Sequence, residues 1–320
     1  MPRMWRNLLI VMALAVGLFA AFSIYSDLGK LGDRLGRFQP LAVGAALLLA
    51  LANYGIRWVR WELYLARTGI KAPRLATTLV FVSGFVMSVT PGKIGELFKA
   101  ALLKETAGAP MERTVPIVIA ERITDLVSLV VLAVIGVALY GVALNLVLAG
   151  AGMVAIALVV ISWRRLSYAV IDVIGRPRAM RPIAAKLRQI YDNLGWLVRT
   201  GPLAWATALA VVAWLAECVG FALIVRSFPG AYVSLGLAML IYAATTVAGA
   251  LSFLPGGLIV TEASMVLLLV HSAQGLDKPA AVAATILTRL CTLWFGVIIG
   301  LCAFAAVRRA FPAAPRTAEK

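Results

Sequence analysis

Apolar residues run along this chain in blocks, with few polar interruptions. The blocks 8–25, 40–52 (continuing toward 65), 116–144, 146–163, 203–225 and 280–307 stand out. Each approaches or exceeds the roughly 20 residues that cross the hydrocarbon of a bilayer. Most are apolar around the whole helical circumference, as helices sunk in lipid or buried in a bundle are, and the alternating strands of a membrane barrel are absent. A backbone in lipid must satisfy its own polar groups, which leaves the helix as the spanning element. The first block follows Arg3 and Arg6 and has the layout of a secretory signal. Its apolar core is long and 23–27 is a poor cleavage site, so it reads as a retained first span.

Two further apolar segments are interrupted. Residues 75–90 stop at Pro91-Gly92 and a short helix resumes over 94–104; residues 235–254 stop at Pro255-Gly256-Gly257 and resume over 259–270. A Pro-Gly break frees backbone groups that lipid cannot satisfy, so each pair predicts a re-entrant hairpin with its tip inside protein or against a wet cavity. The hairpins also resemble one another. Residues 77–92 (TTLVFVSGFVMSVTPG) lie over 241–256 (IYAATTVAGALSFLPG) without a gap, Glu96 and Glu262 follow the breaks, and Arg122 and Arg289 each open a long apolar span. Pro-Gly, Glu and Arg in one order predict an internal repeat.

Charge sets the orientation. The stretch 164–199 carries eight basic residues against Asp172 and Asp192, which marks it as cytoplasmic. The same rule places 67–74, 99–113 and the tail on that side, and loop 26–39 outside despite Lys30, Arg34 and Arg37. The fold class is therefore all-α: a polytopic membrane bundle of about six full spans plus two re-entrant hairpins, in two repeats of inverted topology, both termini cytoplasmic. It divides into a first span and loop (1–40), a first repeat (41–145), a span with basic connector (146–202), a second repeat (203–307) and a tail (308–320). Inverted repeats around broken helices place a site near the midplane between the halves.

Composition agrees: 62% of residues are hydrophobic and 14% charged, too few charges for a water-soluble surface. The net charge of +16 punctuates membrane segments instead of clustering on a module, so nucleic acid is not an expected partner. Cys218, Cys291 and Cys302 lie within apolar blocks without metal spacing, and neither metal nor cofactor is expected. Periodic apolar residues Tyr168, Ile171, Ile174, Ile183, Leu187, Ile190 and Leu194 in the connector fit amphipathic helices on an anionic leaflet. A basic linker that fixes topology fits equally.

Ionisable groups at membrane depth carry the chemistry, because each is costly there. Lys93, Glu96 and Lys99 follow the first break, where a half-helix start favours an anion; capping and local pairing explain them as well. Glu121 and Asp125 share a helix face while Arg122 points about 100° away, toward a neighbour. An ion-pair network holding this helix to the first hairpin is the structural reading. Glu262 and Arg289, with Glu217 before them, form the set in the second repeat, and Thr288 and Thr292 stand where the first repeat has Glu121 and Asp125. Arg57 and Arg60, beside Trp58 and Trp61, read as interface anchors at the end of the second span.

The run from Pro91 to Lys99 (PGKIGELFK), Glu121-Arg122-Ile123-Thr124-Asp125, and Pro255-Gly256-Gly257-Leu258 with Glu262 resemble the flippase-like transmembrane region of lysylphosphatidylglycerol synthases, across nearly the whole chain. That family usually reads Pro-Gly-Gly-Leu-Gly with a basic residue before the Glu; here Ile259 and Thr261 hold those places. The soluble aminoacyl-transfer domain of full-length synthases is missing, so the resemblance implies the lipid-moving part alone. Stand-alone members include ones linked to hopanoid lipids.

The leading expectation is translocation of a lipid with an anionic or zwitterionic head group at the hairpin tips, across the inner membrane. Lys93, Arg122 and Arg289 would hold the head group, and Glu96, Glu121, Asp125 and Glu262 would pair with the arginines or exchange protons. No G-x-x-x-x-G-K-[ST] motif is present, so uphill movement would draw on an ion gradient or a partner. No catalytic residue is assigned. Two alternatives stand beside it. One is a lipid transferase using Glu121 and Asp125 to bind a metal. The other is a scaffold that binds lipid-biosynthetic enzymes through 164–199.

Overall fold

A proline at the first helical turn costs no backbone bond, and Pro40 opens the first described helix in this way. The structure is a computed structural model described over residues 38–90, 95–141, 152, 164–174, 176–177 and 180–311. The expected spans 8–25 and 146–163, Pro91, Gly92 and Lys93 of the first tip, and the tail beyond 311 lie outside those residues.

Helix α1 (Pro40–Arg67) ends where the Thr68 hydroxyl caps the carbonyls of Tyr64 and Leu65. The first hairpin descends as α2 (Arg74–Ser83) and tightens into a 3-10 turn over Gly84–Val89. The change of pitch disturbs the backbone ladder. Ser83, Ser88 and Thr90 hydroxyls donate to the carbonyls of Leu79, Phe85 and Met87 through this stretch. After the tip the chain returns as α3 (Phe98–Ala107). Gly84 matters here because the stem of Lys99 crosses it: a Cβ would stand 2.6 Å from Lys99 Cδ.

Helix α4 (Met111–Tyr140) is the longest described helix and contains Pro116. Proline lacks the N–H that would bond the Glu112 carbonyl. Asn193 Nδ2 supplies the donor instead, at 2.8 Å, from the connector. The connector forms α5 (Arg164–Ile174) and α6 (Arg181–Leu197), joined by Arg188 to Asp172 and Tyr168 to Asp192. Of its predicted apolar stripe, Ile171 and Leu194 are buried, whereas Ile174 and Ile183 are exposed. Ala184 and Leu197 complete the buried side, because α6 docks on α4.

Helix α7 (Thr200–Arg226) packs antiparallel along α1, with Gln39 N bonded to Ser227 O at one end and Tyr64 and Arg67 against Trp205 at the other. The second hairpin comprises α8 (Leu235–Leu251), a 3-10 tip over Pro255–Gly257 and α9 (Val260–Ser272). Its 13-residue return arm spans about 20 Å, less than the roughly 30 Å of a hydrocarbon core. Helix α10 (Lys278–Arg289) passes through a π turn at Leu290–Trp294 into α11 (Phe295–Ala310).

Helix α4 shows how the hairpins are oriented. Glu112, near its start, meets the connector, and the first hairpin's α3 leads through 108–110 into that same end. At its other end Gly136 lies against Gly236 and Leu240, and Tyr140 donates to Ser272 O, the base of the second hairpin. The hairpins therefore enter from opposite ends of a 30-residue helix, and their tips touch where Gly256 faces Val89. Each hairpin also packs on the long helix of the other half, α2 on α11 and α8 on α4. This reciprocity is what inverted repeats produce. Four of the six expected full spans are described, as α1, α4, α7 and α10–α11, and all are long and apolar enough to cross a membrane; so, by length and composition, is Pro255–Ser272, the second tip and its return arm taken together.

At Gly136 an added Cβ would fall 2.6 Å from Gly236 O and 2.7 Å from Leu240 N, both backbone. Backbone cannot swing aside as a side chain can. Gly136→Val is expected to cost about 1–3 kcal/mol, read as a lower thermal midpoint in detergent; an unchanged midpoint would mean that α4 and α8 do not meet this closely.

Candidate functional site

Asp125 lies on α4 at 4% exposure, with three guanidinium groups around it. Arg60 Nη2 donates to Oδ1 at 2.8 Å, Arg122 Nη2 reaches Oδ2 at 2.9 Å, and Arg57 Nη2 stands 3.8 Å from Oδ2. Arg60 Nη1 also donates to Thr124 Oγ1 at 3.0 Å. Glu121, one turn before Asp125, accepts from Lys99 Nζ at 2.5 Å. Lys99 lies 3.9 Å from Glu96 and over the rings of Trp61 and Phe81. Arg122 Nη1 closes the circuit with Glu96 Oε1 at 3.0 Å. Four cations thus face three carboxylates, a surplus of one positive charge among the described residues.

This corrects the expectation for Arg57 and Arg60, which are network members and not interface anchors. Helix α1 continues to Arg67, so both arginines stand well inside it, and Arg60 is fully buried. A signal existed in the sequence: Asn53, Arg57, Arg60 and Tyr64 recur at steps of four, three and four, one stripe of a helix. All four are buried. Asn53 Nδ2 donates to Ala213 O at 2.8 Å, which pins the stripe to α7.

The second half is simpler. Arg289 Nε meets Glu262 Oε1 at 2.7 Å and its Nη2 donates to Gly256 O at 2.7 Å. The arginine thereby satisfies a tip carbonyl that lipid would leave bare. Glu262 lies in the first turn of α9, where helix dipole and cation both favour its charge. Thr288, at the Glu121-like position, turns its hydroxyl to Ala284 O within its own helix. The Thr292 carbonyl, within the π turn, accepts from Tyr54 Oη at 2.5 Å. Glu217 on α7 accepts from Tyr242 Oη of α8.

Between the halves lies an open cavity of about 90 Å³. Both tips reach it, through Ser88 and Thr90 on one side and Gly256 and Gly257 on the other. Its charged lining is Arg57, Glu96, Glu217 and Arg289. Arg57 is held there between Phe85 and Trp214, 5.5 and 5.7 Å from their ring centres. Lys99, Glu121, Arg122, Asp125 and Glu262 are not among its described lining residues and stand behind this surface. The sequence-derived set is thus brought together in two clusters. Part of it faces the cavity and part braces that face; Lys93, Pro91 and Gly92 lie outside the described residues.

Fold and site together define a multi-pass α-helical membrane protein whose broken hairpins meet in the bundle interior. The chain belongs to the family described as the lysylphosphatidylglycerol synthase TM region, which matches residues 9–300. A UPF0104 membrane protein of Methanothermobacter thermautotrophicus is 23% identical over 320 residues, spanning 92% of this chain and 94% of the relative. Glycosyltransferase AglD of Haloferax volcanii is 28% identical over 145 residues, 44% of this chain and 23% of the relative. The resemblance read from the motifs therefore holds across nearly the whole chain.

The departure at Ile259 has a backbone meaning. Its φ of 74° and ψ of −58° lie in the strained γ-turn region, which a β-branched residue adopts at a cost and glycine adopts freely. The Gly-Gly-Leu-Gly pattern of the family suits this turn; here an isoleucine is forced into it.

Two outcomes are expected from thermal unfolding in detergent. Asp125→Ala leaves buried Arg57 and Arg60 without their carboxylate and should cost about 3–5 kcal/mol, whereas Arg60→Leu, which leaves Asp125 with Arg122, should cost clearly less. Equal losses would remove Asp125 as the shared centre. Ile259→Gly should stabilise by about 1 kcal/mol; a loss of stability would show that the side chain contributes more than the turn costs.

Proposed function

We propose that this protein moves a lipid with an anionic or zwitterionic head group between the leaflets of the cytoplasmic membrane. The observation that carries the reading is the cavity at the meeting point of two opposed hairpins. It presents Arg57 and Arg289 to a head group while Leu254 and Leu293 line it with apolar surface. Leu251, Phe253 and Ile259 around the second tip are exposed, and acyl chains can lie against them without leaving the bilayer. Opposed repeats let one arrangement open toward either leaflet in turn.

The charge network supports binding of an anion. Its surplus positive charge sits at low dielectric, and Arg57, the most distant partner of Asp125, is the cation with most to gain from a phosphate. In this reading Lys99, Glu121, Arg122 and Asp125 hold Arg57 and Glu96 in place. The basic connector and the base of the first hairpin share one end of α4, which agrees with a cytoplasmic side there. Lipid-biosynthetic enzymes would supply the substrate at that side.

The transferase alternative needs Glu121 and Asp125 as metal ligands. Lys99 occupies Glu121, and three arginines occupy Asp125, so this geometry favours ion pairing over chelation.

Leaflet exchange of a fluorescent anionic phospholipid in proteoliposomes tests the proposal. Arg57→Ala should slow exchange about tenfold or more, the worth of one charge-assisted hydrogen bond, with a smaller loss of stability than Asp125→Ala. Undiminished exchange would take Arg57 out of the path. Absence of exchange in the unaltered protein, across anionic and zwitterionic head groups, would sink the flipping reading.

A further inference from the structure

The second hairpin tip stands between the cavity and the surface of the bundle. Leu254, Gly256 and Gly257 line the cavity, while Phe253 and Ile259 on either side of them are 65% and 53% exposed. We infer that this tip is a lateral gate, which swings away from the first tip to let a head group pass between bilayer and cavity. This rests on the flipping reading and identifies the part that moves.

The backbone of the tip is held in an unfavourable shape. Phe253 has a φ of 54° and Ile259 a φ of 74°, and among the described residues no other non-glycine residue has a positive φ. Gly256 and Gly257 lie between them at 62° and 67°. Four of the seven residues 253–259 therefore occupy a region that side-chain-bearing residues avoid. Such a conformation persists only where its surroundings impose it. Here both strained side chains are exposed, so packing does little to impose it. The glycine pair between them can absorb a large backbone rotation at low cost.

The tip is also lightly tied. Gly257 N bonds Leu254 O and Leu258 N bonds Pro255 O, which makes the turn a unit. Among the described residues, one hydrogen bond joins that unit to another helix: Arg289 Nη2 donates to Gly256 O at 2.7 Å. Arg289 lines the cavity as well, and a guanidinium bonds a phosphate oxygen more strongly than a neutral carbonyl. A head group in the cavity thus competes with Gly256 for the group that keeps the tip closed. Occupancy and gate position are thereby coupled.

The first hairpin lacks this freedom. Its return arm is bound to α4 twice, Glu96 by Arg122 and Lys99 by Glu121. Among the described residues, the return arm of the second hairpin carries one ion pair, Glu262 with Arg289. The same arginine therefore holds both the arm and the tip, and the second hairpin is the one that can open.

A disulfide between the tips tests the gate in the full chain. A Cβ on Gly256 would stand 3.6 Å from Val89 Cα, close enough for Val89→Cys and Gly256→Cys to bridge. Cys302, the exposed native thiol, is replaced by serine in this background. Exchange of fluorescent phosphatidylglycerol in proteoliposomes should fall to the protein-free rate on oxidation and recover with dithiothreitol. A second measurement is independent of transport and decides the matter if the bridge does not form. Spin labels at Phe253→Cys and Val134→Cys, both exposed positions, report the distance from the tip to α4 in nanodiscs. Two distances should be present, and short-chain phosphatidylglycerol should change their proportions. Undiminished exchange in the oxidised pair, or a single distance that the lipid leaves unchanged, overturns the gate and leaves the flipping reading standing. No exchange in the unaltered protein removes both.

Discussion

A charge inside a membrane must find its partner within the protein, and Asp125 is where this chain meets that demand most fully. One carboxylate holds arginines from two turns of α1 and from its own helix. Through Arg122 it reaches Glu96, and through Glu96 and Lys99 it reaches the first hairpin. Three elements that also share an apolar cluster, through Trp61, Phe81 and Ile123, are thereby fixed to one another. Such a network contributes more to geometry than to stability, since desolvating each ion offsets most of the attraction it gains. Its result is a rigid wall behind the cavity, with Arg57 presented on the near side.

The hairpin tips follow the same logic with backbone in place of side chains. Broken helices leave carbonyls and amides unpaired, and each tip answers differently. The first approaches its break through hydroxyls that bond the carbonyls as the helix tightens. The second uses a guanidinium from another helix on the Gly256 carbonyl and packs α8 so closely on α9 that Gly249 leaves no room for a Cβ beside Thr261. The halves are alike in path and unlike in chemistry. That difference was visible in the sequence, where Thr288 and Thr292 replace the acidic pair.

Much of the architecture was legible because lipid permits few solutions. Long apolar blocks gave the spans, Pro-Gly breaks gave the hairpins, and the order Pro-Gly, Glu, Arg gave the repeat and the family. Less was legible about the site. Arg57 and Arg60 were hidden by neighbouring tryptophans, since an aromatic beside a basic residue is also the signature of a membrane interface. The fault lay in placing the end of α1 too early. Once the helix runs to Arg67, the same residues fall on a buried stripe. Which intramembrane charges face the cavity and which stand behind it depends on side-chain packing between elements far apart in the chain. No local pattern encodes that. The positive φ of Ile259 was equally unreadable from composition, though the family's glycine at that place pointed to it.

The π turn at Leu290–Trp294 carries a geometric consequence for the helix that contains it. A turn with one extra residue advances the chain without advancing the angular phase, so the two parts of α10–α11 are offset by about 100°. Before the turn, Arg289 is aimed at the second tip; after it, Gly296 and Gly300 are aimed at Tyr54 and at the backbone of the first hairpin. A straight helix could not present both faces in these directions. One inserted residue lets a single rod act as two differently keyed shafts, each matched to its own hairpin.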